Sequence, residues 1–294
     1  MLISHPNVSV VIPAMNEAEN LPHVARRMPQ GIAEIILVDG NSRDRTVDVA
    51  RELWPDVRVV NQTRKGKGNA LACGFLAARG DIIVMVDADG STDVGEIPTF
   101  VDALTAGADF AKGTRFAYRG GSSDITHLRR MGNYALNSIV NSLYDTKFTD
   151  LCYGYNAFWR HCLPHIGLPE PTLEDAQWGD GFEVETLMNI RAARANLKIV
   201  EIASFERDRI YGESNLNSLT DGTRVLRTIV AERRRTDSLV VDRLHPGTAA
   251  TARTAGRMSG PRAKLARAIG GPHVRVEYAG PELSGSGSGP ARPQ

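Results

Sequence analysis

The sequence predicts an α/β fold in which helices flank a mostly parallel central sheet. Across residues 8–112, short apolar runs rich in β-branched residues alternate with longer helical segments. Such runs are typical of strands buried on both faces, and their alternation with helices predicts parallel pairing through right-handed crossovers. Polar and glycine residues follow four of the strands, at 13–17, 39–44, 87–93 and 113–115. Because ligands bind at the carboxyl edge of such a sheet, these four segments are expected to form one site.

The individual elements follow from apolar periodicity and from helix-start residues. We expect strands at 8–12, 34–38, 57–60, 81–86, 109–111, 153–158 and 198–204. Helices are expected at 17–28, from 42 or 44 to 53, at 68–78, 94–104, 127–143, 181–195 and 216–235. Asn16 is well placed as the N-cap of the first helix.

Length and composition suit one folded domain over residues 1–236, followed by a flexible, basic tail over 237–294 in which Gly, Ala, Ser, Pro and Arg dominate. The 294 residues carry 35 basic and 34 acidic side chains, a formal charge of +1, which argues against a nucleic-acid-binding protein. Cys73, Cys152 and Cys162 are too few and scattered for a disulfide framework, so we expect free thiols in a reducing compartment.

The chain shows neither a signal peptide nor an apolar run of the ~18 residues that a membrane span needs. We therefore expect a cytoplasmic protein, with peripheral contact at the inner face of a membrane left open. Six apolar residues recur at helical spacing: Leu128, Met131, Leu136, Ile139, Val140 and Leu143. Packing in the core is the favoured explanation for them, ahead of a membrane-facing role.

Asp87-Ala88-Asp89 directly follows an apolar strand and is the first candidate for chemistry. Two carboxylates at the mouth of a buried strand are costly unless a positive charge meets them. Mg²⁺ and Mn²⁺ prefer one or two carboxylates with phosphate oxygens and water, so Asp87 and Asp89 are the predicted metal ligands. A turn and helix cap explains the motif about as well when it is considered alone.

Residues 65–68, Lys-Gly-Lys-Gly, precede a helix. Glycines there would let backbone amides approach an anion, which makes Lys67 a candidate for phosphate or donor contact. A solvated helix start is an equally good explanation.

Residues 8–17, 38–46 and 86–90, taken in order, resemble the family-2 glycosyltransferases of the GT-A fold. Residues 113–115 and 208–214 look like the polyprenyl- or dolichyl-phosphate mannose and glucose synthases within that family. The resemblance covers roughly residues 7–235. It implies a Rossmann-like GT-A domain, a nucleotide-sugar donor such as GDP-mannose or UDP-glucose, Mg²⁺ or Mn²⁺, inversion at the anomeric carbon, and a polyprenyl-phosphate acceptor.

The resemblance also implies roles for individual residues. The donor-binding set is Pro13, Asn16, Glu17, Asp39, Lys67, Asp87, Ala88, Asp89, Arg115 and Arg209. Arg115 and Arg209 would face the diphosphate, while Arg129 or Arg130, with Ser214, would bind the acceptor phosphate. The chain departs from the pattern at Ser91, where Gln or His is usual, and at Asn215, where Lys is usual.

Glu183 carries the main alternative for the acceptor. Synthases of this type commonly have Gln where Glu183 falls. An ionised lipid phosphate needs no strong base, whereas a saccharide, natural-product or peptide hydroxyl needs one, for which Glu183 or Glu185 is the suspect. The resemblance implies Asp89, Arg115 and Arg209 as candidate catalytic residues, and the hydroxyl-acceptor alternative adds Glu183. A third hypothesis is a nucleotide-sugar-binding or nucleotidyltransferase-like protein that transfers no sugar.

Overall fold

The computed structural model describes residues 5–212, 218–244 and 277–279, with side-chain surroundings for 5–212 and 220–235. Its strands are β1 (Val8–Ala14), β2 (Glu34–Asp39), β3 (Arg58–Asn61), β4 (Ile82–Met85), β5 (Phe110–Thr114), β6 (Gly121–Ser122), β7 (Asn156–Trp159), β8 (Ile199–Ala203), β9 (Phe205–Glu206) and β10 (Glu277–Ala279). Eight of them form one sheet in the order β10-β8-β5-β7-β4-β1-β2-β3, and β6 pairs with β9. In the main sheet β7 runs antiparallel to β4 and β5, and the other pairs are parallel.

Eight helices are present in the described residues: α1 (Leu21–Arg27), α2 (Thr46–Leu53), α3 (Lys67–Ala77), α4 (Ile97–Thr105), α5 (His127–Tyr144), α6 (Leu163–Ile166), α7 (Val184–Arg194) and α8 (Ser218–Leu244). Short 3₁₀ turns at Val94–Glu96 and Arg160–Cys162 precede α4 and α6.

Strand alternation sorts the core into two layers, one on each face of the sheet. Val10 and Ile12 pack with residues of α1, α2 and α4, whereas Val11 packs on the opposite face with residues of α3, α5, α7 and α8. All three side chains are fully buried, and such burial of a Val or Ile contributes about 1.5–3 kcal/mol. The central strands therefore lie between two apolar layers, and the loops of the site leave the sheet at their carboxyl ends.

The predicted α/β class with a mostly parallel sheet is confirmed, and most boundaries agree within a few residues. The first helix is an exception, because it begins at Leu21 instead of residue 17. Asn16 adopts a left-handed φ of 60°, so the chain turns there and Asn20 becomes the N-cap. The prediction that Asn16 caps this helix was wrong.

The expectation that the apolar residues of α5 pack in the core was wrong for several of them. Val140 is buried and Leu136 is partly buried, but Leu128 and Met131 are 67% and 71% exposed. Ile139 and Leu143 also reach solvent, as does Tyr134 on the same helix. The helix therefore has a second apolar side that faces away from the sheet.

The proposed boundary at residue 236 falls inside α8, which continues to Leu244, and Glu277–Ala279 pairs with β8. The rest of the predicted tail lies outside the described residues. Within the described part of the chain, no helix is both long enough and apolar enough to cross a membrane.

Candidate active site

The loop after β1 is held by side chains of the loop after β2. The Asn16 backbone N–H donates to Ser42 Oγ at 3.0 Å, and Asn16 Oδ1 accepts from the Arg43 N–H at 2.7 Å. The Glu17 N–H donates to Thr46 Oγ1 at 2.8 Å. Asn16 and Glu17 are thus fixed at the carboxyl edge of the sheet, just after Pro13 and Ala14 at the end of β1.

Asp39 ends β2 at the same edge and is buried. Its carboxylate accepts the Ser42 N–H at 3.2 and 3.3 Å, which closes a tight turn. Asp44 instead contacts the start of α2, where its Oδ1 accepts the Thr46 N–H at 3.0 Å. Asp44 therefore takes part in the start of α2, whereas Asp39 shapes the turn after β2 at the carboxyl edge of the sheet.

Asp87 and Asp89 follow β4, and each carboxylate meets a cation. Lys67 Nζ lies 2.6 Å from Asp87 Oδ1, and Arg209 Nη2 lies 3.2 Å from Asp89 Oδ2. Ser91 donates to Asp89 Oδ1 through both its backbone N–H and its hydroxyl, at 3.0 and 2.7 Å. Ser91 therefore orients the second carboxylate of the motif, and Ala88 between the two is buried.

Each of these cations also contacts a glutamate. Lys67 Nζ lies 2.8 Å from Glu185 Oε1, and Arg209 Nη1 lies 3.0 Å from Glu17 Oε1. Burial raises the pKa of both Glu17 and Glu185, against the lowering effect of their hydrogen-bond and charge partners. Burial alone would lower the pKa of Lys67, but Asp87 and Glu185 outweigh it and raise that pKa above its usual value. The two carboxylates therefore favour the charged form of Lys67.

The glycines beside Lys67 have a different purpose from the predicted one. The N–H groups of Gly68 and Asn69, at the start of α3, donate to the Asp180 carbonyl at 2.8 and 3.3 Å. A Cβ at Gly66 or Gly68 would collide with the backbone of residues 179–181. The backbone amides at this helix start therefore bind a neighbouring loop, and the prediction that the glycines expose them to an anion was wrong.

Arg64 also holds the loop of residues 179–181 in place. Its guanidinium makes two hydrogen bonds of 2.8 Å to the Asp180 carboxylate, and both side chains are nearly inaccessible. It also donates to the Leu173 carbonyl. The segment that leads into α7, and with it Glu185, is consequently anchored to the start of α3.

The segment that carries Arg209 is fastened to the loop before α1. The Tyr211 N–H donates to Asn20 Oδ1 at 3.0 Å, while Asn20 Nδ2 donates back to the Tyr211 carbonyl at 3.1 Å. Ile210 lies over Gly90, whose φ of 77° makes the turn after Asp89. Arg209 is thereby held between Glu17 and Asp89.

Arg115 lies at the end of β5, and its donors go to carboxylates. Nε and Nη2 donate to Asp150 at 2.7 and 2.9 Å, and Nη1 donates to Glu206 Oε2 at 3.0 Å. Its guanidinium also covers the Tyr153 ring at 4.9 Å. These contacts are those of a structural ion pair, and contact of Arg115 with a diphosphate stays a prediction.

The adjacent arginines at the start of α5 diverge, as neighbours on a helix must. Arg129 Nη1 donates to Asp124 Oδ2 at 3.3 Å, whereas the Arg130 guanidinium covers the ring of Phe116 at 5.9 Å. Ser214 and Asn215 lie outside the described residues. Whether these side chains bind an acceptor stays a prediction.

Glu183 precedes α7 and is buried. Its Oε1 accepts the N–H groups of Gly179 and Gly181 at 3.0 and 3.3 Å. These bonds hold the loop before the helix in shape. Glu185 lies two residues further along the chain, and it is the glutamate that contacts Lys67.

Comparison with known proteins identifies the family. The family model described as glycosyl transferase family 2 matches residues 9–166, more than half of the chain. Glycosyltransferase AglJ of Haloferax volcanii is 30% identical over 73% of this chain and 68% of its own. The undecaprenyl-phosphate mannosyltransferase of Micrococcus luteus is 31% identical over 71% of this chain and 87% of its own.

This chain is a family-2 glycosyltransferase. It resembles the polyprenyl-phosphate mannose synthases of that family, as its motifs predicted. Its fold is the GT-A fold. A solved structure of glucosyl-3-phosphoglycerate synthase from Mycobacterium tuberculosis, in complex with Mn²⁺, UDP-glucose and phosphoglyceric acid, superposes with a TM-score of 0.60 at 22% identity, covering 78% of this chain and 80% of that one.

The two aspartates after β4 could supply part of the ligand set of a hard divalent cation, with the remaining ligands coming from outside the chain. Among the described residues, no group of three or more His, Cys, Asp or Glu is arranged to hold a metal ion. Asp87 and Asp89 supply hard oxygen donors, and the side chain of Asp87 is 31% exposed. Two carboxylates match the ligand set of a Mg²⁺ or Mn²⁺ ion that takes its other oxygens from a diphosphate and water.

Two residues of the family-2 site were not singled out from the sequence. Asn20 reads as an ordinary helix-start residue, and nothing local indicates its bonds to Tyr211. Glu185 was considered only as a base. Its position two residues after Glu183 signals that the two carboxylates diverge, but its lysine partner is more than a hundred residues away in the chain.

Proposed function

We propose that this glycosyltransferase moves mannose or glucose from GDP-mannose or UDP-glucose to a polyprenyl phosphate, with inversion and with Mg²⁺ or Mn²⁺ as cofactor. The observation that carries the proposal is the pair of carboxylates after β4, Asp87 and Asp89. Each forms an ion pair with a basic side chain that could also bind a diphosphate. The mannosyltransferase of Micrococcus luteus, which acts on undecaprenyl phosphate by its name, supports the lipid acceptor.

The residues of the proposed site fall into two groups. One group would bind the nucleoside of the donor, and the other would stabilise the charge of its diphosphate. Pro13, Asn16 and Asp39 lie at the edge of the sheet where a nucleoside would bind, with Asp39 as an acceptor for a base or ribose group. Lys67 and Arg209 would hold the diphosphate, because both are cations at the two aspartates. A bound Mg²⁺ or Mn²⁺ would supply Lewis-acid stabilisation of the leaving diphosphate. Catalysis would then rest on positioning and charge stabilisation.

The surroundings of Glu183 favour a phosphate acceptor over a hydroxyl. Its Oε1 accepts two backbone amides of its own loop, its Oε2 is buried without a hydrogen-bond partner among the described residues, and the side chain is 5% exposed. A general base must reach the proton that it removes. An ionised phosphate needs no such base, so Glu183 is assigned to the shape of the loop.

The outer side of α5 supports peripheral contact with a membrane. Leu128, Met131 and Tyr134 are exposed there, beside Arg129 and Arg130. Apolar side chains flanked by arginines suit the interface of a bilayer that carries anionic lipids. A polyprenyl phosphate in the inner leaflet would then present its headgroup near the start of α5.

The deciding experiment incubates the protein with GDP-mannose or UDP-glucose and Mn²⁺, with and without polyprenyl phosphate. We expect nucleoside diphosphate release that requires both the lipid and the metal, and a product of inverted anomeric configuration. Release with a soluble hydroxyl acceptor instead would overturn the lipid assignment.

A Glu183→Gln variant tests the acceptor class separately. Because Gln keeps a carbonyl oxygen for the two loop amides, we expect kcat within about threefold of wild type. A loss of about 100-fold or more, with an unchanged melting temperature, would indicate a general base and a hydroxyl acceptor.

A further inference from the structure

Two glutamates outside the Asp-Ala-Asp motif share its cations. Lys67 bridges Asp87 and Glu185 with Nζ–O distances of 2.6 and 2.8 Å. Arg209 bridges Asp89 and Glu17 with N–O distances of 3.2 and 3.0 Å. The same arrangement thus occurs twice, with one cation between one aspartate and one glutamate.

The two kinds of carboxylate are supported differently. Glu185 lies in the first turn of α7, and the loop before it is fixed by Arg64 and Asp180. Glu17 is bonded through its N–H to Thr46 and through its side chain to Asn20. Asp87 and Asp89 lie on a loop and are more exposed than either glutamate. The glutamates are therefore the more buried partners of the two basic side chains, and the aspartates are the more accessible ones.

The charges of this cluster are unbalanced in a way that suits a divalent cation. Four carboxylates and two basic side chains give a formal charge of −2. If the two glutamates were absent, Lys67 and Arg209 would neutralise the two aspartates. A metal ion could then bind the aspartates only by displacing both basic side chains from the site. Because each basic side chain has a second carboxylate, it can give up the aspartate and still be paired.

We propose that Glu185 and Glu17 are positioning residues that keep Lys67 and Arg209 in the site, directed at the diphosphate, when a divalent cation takes over Asp87 and Asp89. This inference rests on the proposed metal-dependent function. It gives Glu185 a task that does not require contact with the donor, the acceptor or the metal, and it gives Glu17 the same task beside the donor contact that the resemblance implies for it.

Nucleotide binding at saturating Mn²⁺ tests the proposal, because its predicted sign is opposite to that of a simple charge effect. Removing the negative charge of Glu185 should, by electrostatics alone, tighten the binding of an anionic diphosphate. If Glu185 instead holds Lys67 in place, Glu185→Gln should weaken the binding of UDP or GDP by about tenfold. Calorimetric titration with UDP and with GDP measures this in wild type, Glu185→Gln, Lys67→Met and the double variant.

The double variant shows whether Glu185 acts through Lys67. We expect it to bind the nucleotide within about twofold of Lys67→Met, since a glutamate that acts only by holding the lysine has nothing left to hold. Lys65→Met, which removes an exposed lysine from the same segment, is the matched control and should change affinity by less than about twofold. Unchanged or tighter binding in Glu185→Gln, or effects that multiply in the double variant, would overturn the proposal.

The Arg209 arm provides an independent second test if the Lys67 variants do not fold. Glu17→Gln, Arg209→Met and their double variant should show the same pattern, with folding checked by thermal melting. If wild-type protein binds neither UDP nor GDP with Mn²⁺, the proposed function itself fails. If wild type binds and the Glu17 and Glu185 variants match it, this inference alone fails.

Discussion

Asp89 has the larger share of contacts in the carboxylate pair. Ser91 fixes its Oδ1, and Arg209 meets its Oδ2. Asp87 is bound at Oδ1 by Lys67 and is the more exposed of the two. A side chain fixed at both oxygens defines a position, whereas a more exposed one can adapt to a ligand. Asp89 is therefore the residue whose loss should disturb the site most.

We expect Asp89→Ala to lower kcat by about 100-fold or more, because it removes a proposed metal ligand and leaves Arg209 paired with Glu17 alone. The thermal melting temperature should change little, since Arg209 keeps Glu17 as a partner and the loss of one carboxylate reduces the net negative charge of the cluster. Steady-state assays with the preferred donor, alongside circular dichroism melts, measure both quantities. Asp102→Ala, on the exposed side of α4, is the matched control. Residual activity within about tenfold of wild type would contradict a role for Asp89 in the site.

The start of α3 illustrates how an element can be placed by a distant loop. Its first amides are bound by the Asp180 carbonyl, and Gly66 and Gly68 leave room for the backbone of residues 179–181. This contact joins the helix that carries Lys67 to the helix that carries Glu185. The spacing between the two charged groups therefore depends on two positions without side chains.

Gly68→Ala tests this contact, because the added methyl group would collide with the Gly179 carbonyl. We expect the free energy of unfolding to fall by about 2 kcal/mol or more, as measured by urea denaturation. Gly132→Ala, in the interior of α5 with no other atom within 4 Å of the added carbon, is the control and should gain about 0.5–1 kcal/mol. Equal effects at the two glycines would show that the loop contact is unimportant.

The sequence was sufficient for the main strands and helices, and it was insufficient for the short elements β6, β9, β10 and α6 and for the contacts between elements. The strands could be predicted because residues such as Val10, Val11 and Ile12 form β-branched runs, which are buried on both faces as expected. The start of α1 could not, because nothing in the residue type of Asn16 requires its left-handed φ. Asp87 and Asp89 could be recognised from their motif, whereas their links to Glu185 and Glu17 run through Lys67 and Arg209, which tertiary structure alone brings there.

At the scale of the whole molecule, Arg115 joins parts of the chain that are far apart in sequence. It follows the core of β5 and binds Asp150 before β7 and Glu206 in β9. Asp150 is completely buried. Burial alone would raise the pKa of Asp150, but the bonds and charge of Arg115 outweigh it and hold that pKa below its usual range.

Arg115→Met should therefore cost about 3–5 kcal/mol of unfolding free energy near neutral pH, because a buried carboxylate loses its partner. In wild type, a lowered folded pKa means that the stability from Asp150 is present above its unfolded pKa and is lost as the pH falls through the folded value. In the variant the pKa of Asp150 should rise, so protonation relieves the unpaired charge as the pH falls. Urea denaturation at about pH 7 and about pH 4.5 should show the difference between the two proteins narrowing in acid. Arg119→Met, at an exposed position nearby, is the control.

Because β7 is antiparallel to its neighbours, it brings backbone next to the charged groups of Lys67 and Glu185. The carboxyl ends of β4 and β5 lie at the same edge of the sheet as the amino end of β7. The residues just before β7 therefore also lie at that edge. Gly154 is one of them, and a methyl group on it would stand 2.9 Å from Lys67 Nζ and 3.1 Å from Glu185 Oε1. The antiparallel strand thus places a residue without a side chain beside the charged groups, at the amino end of a strand and not at a carboxyl end.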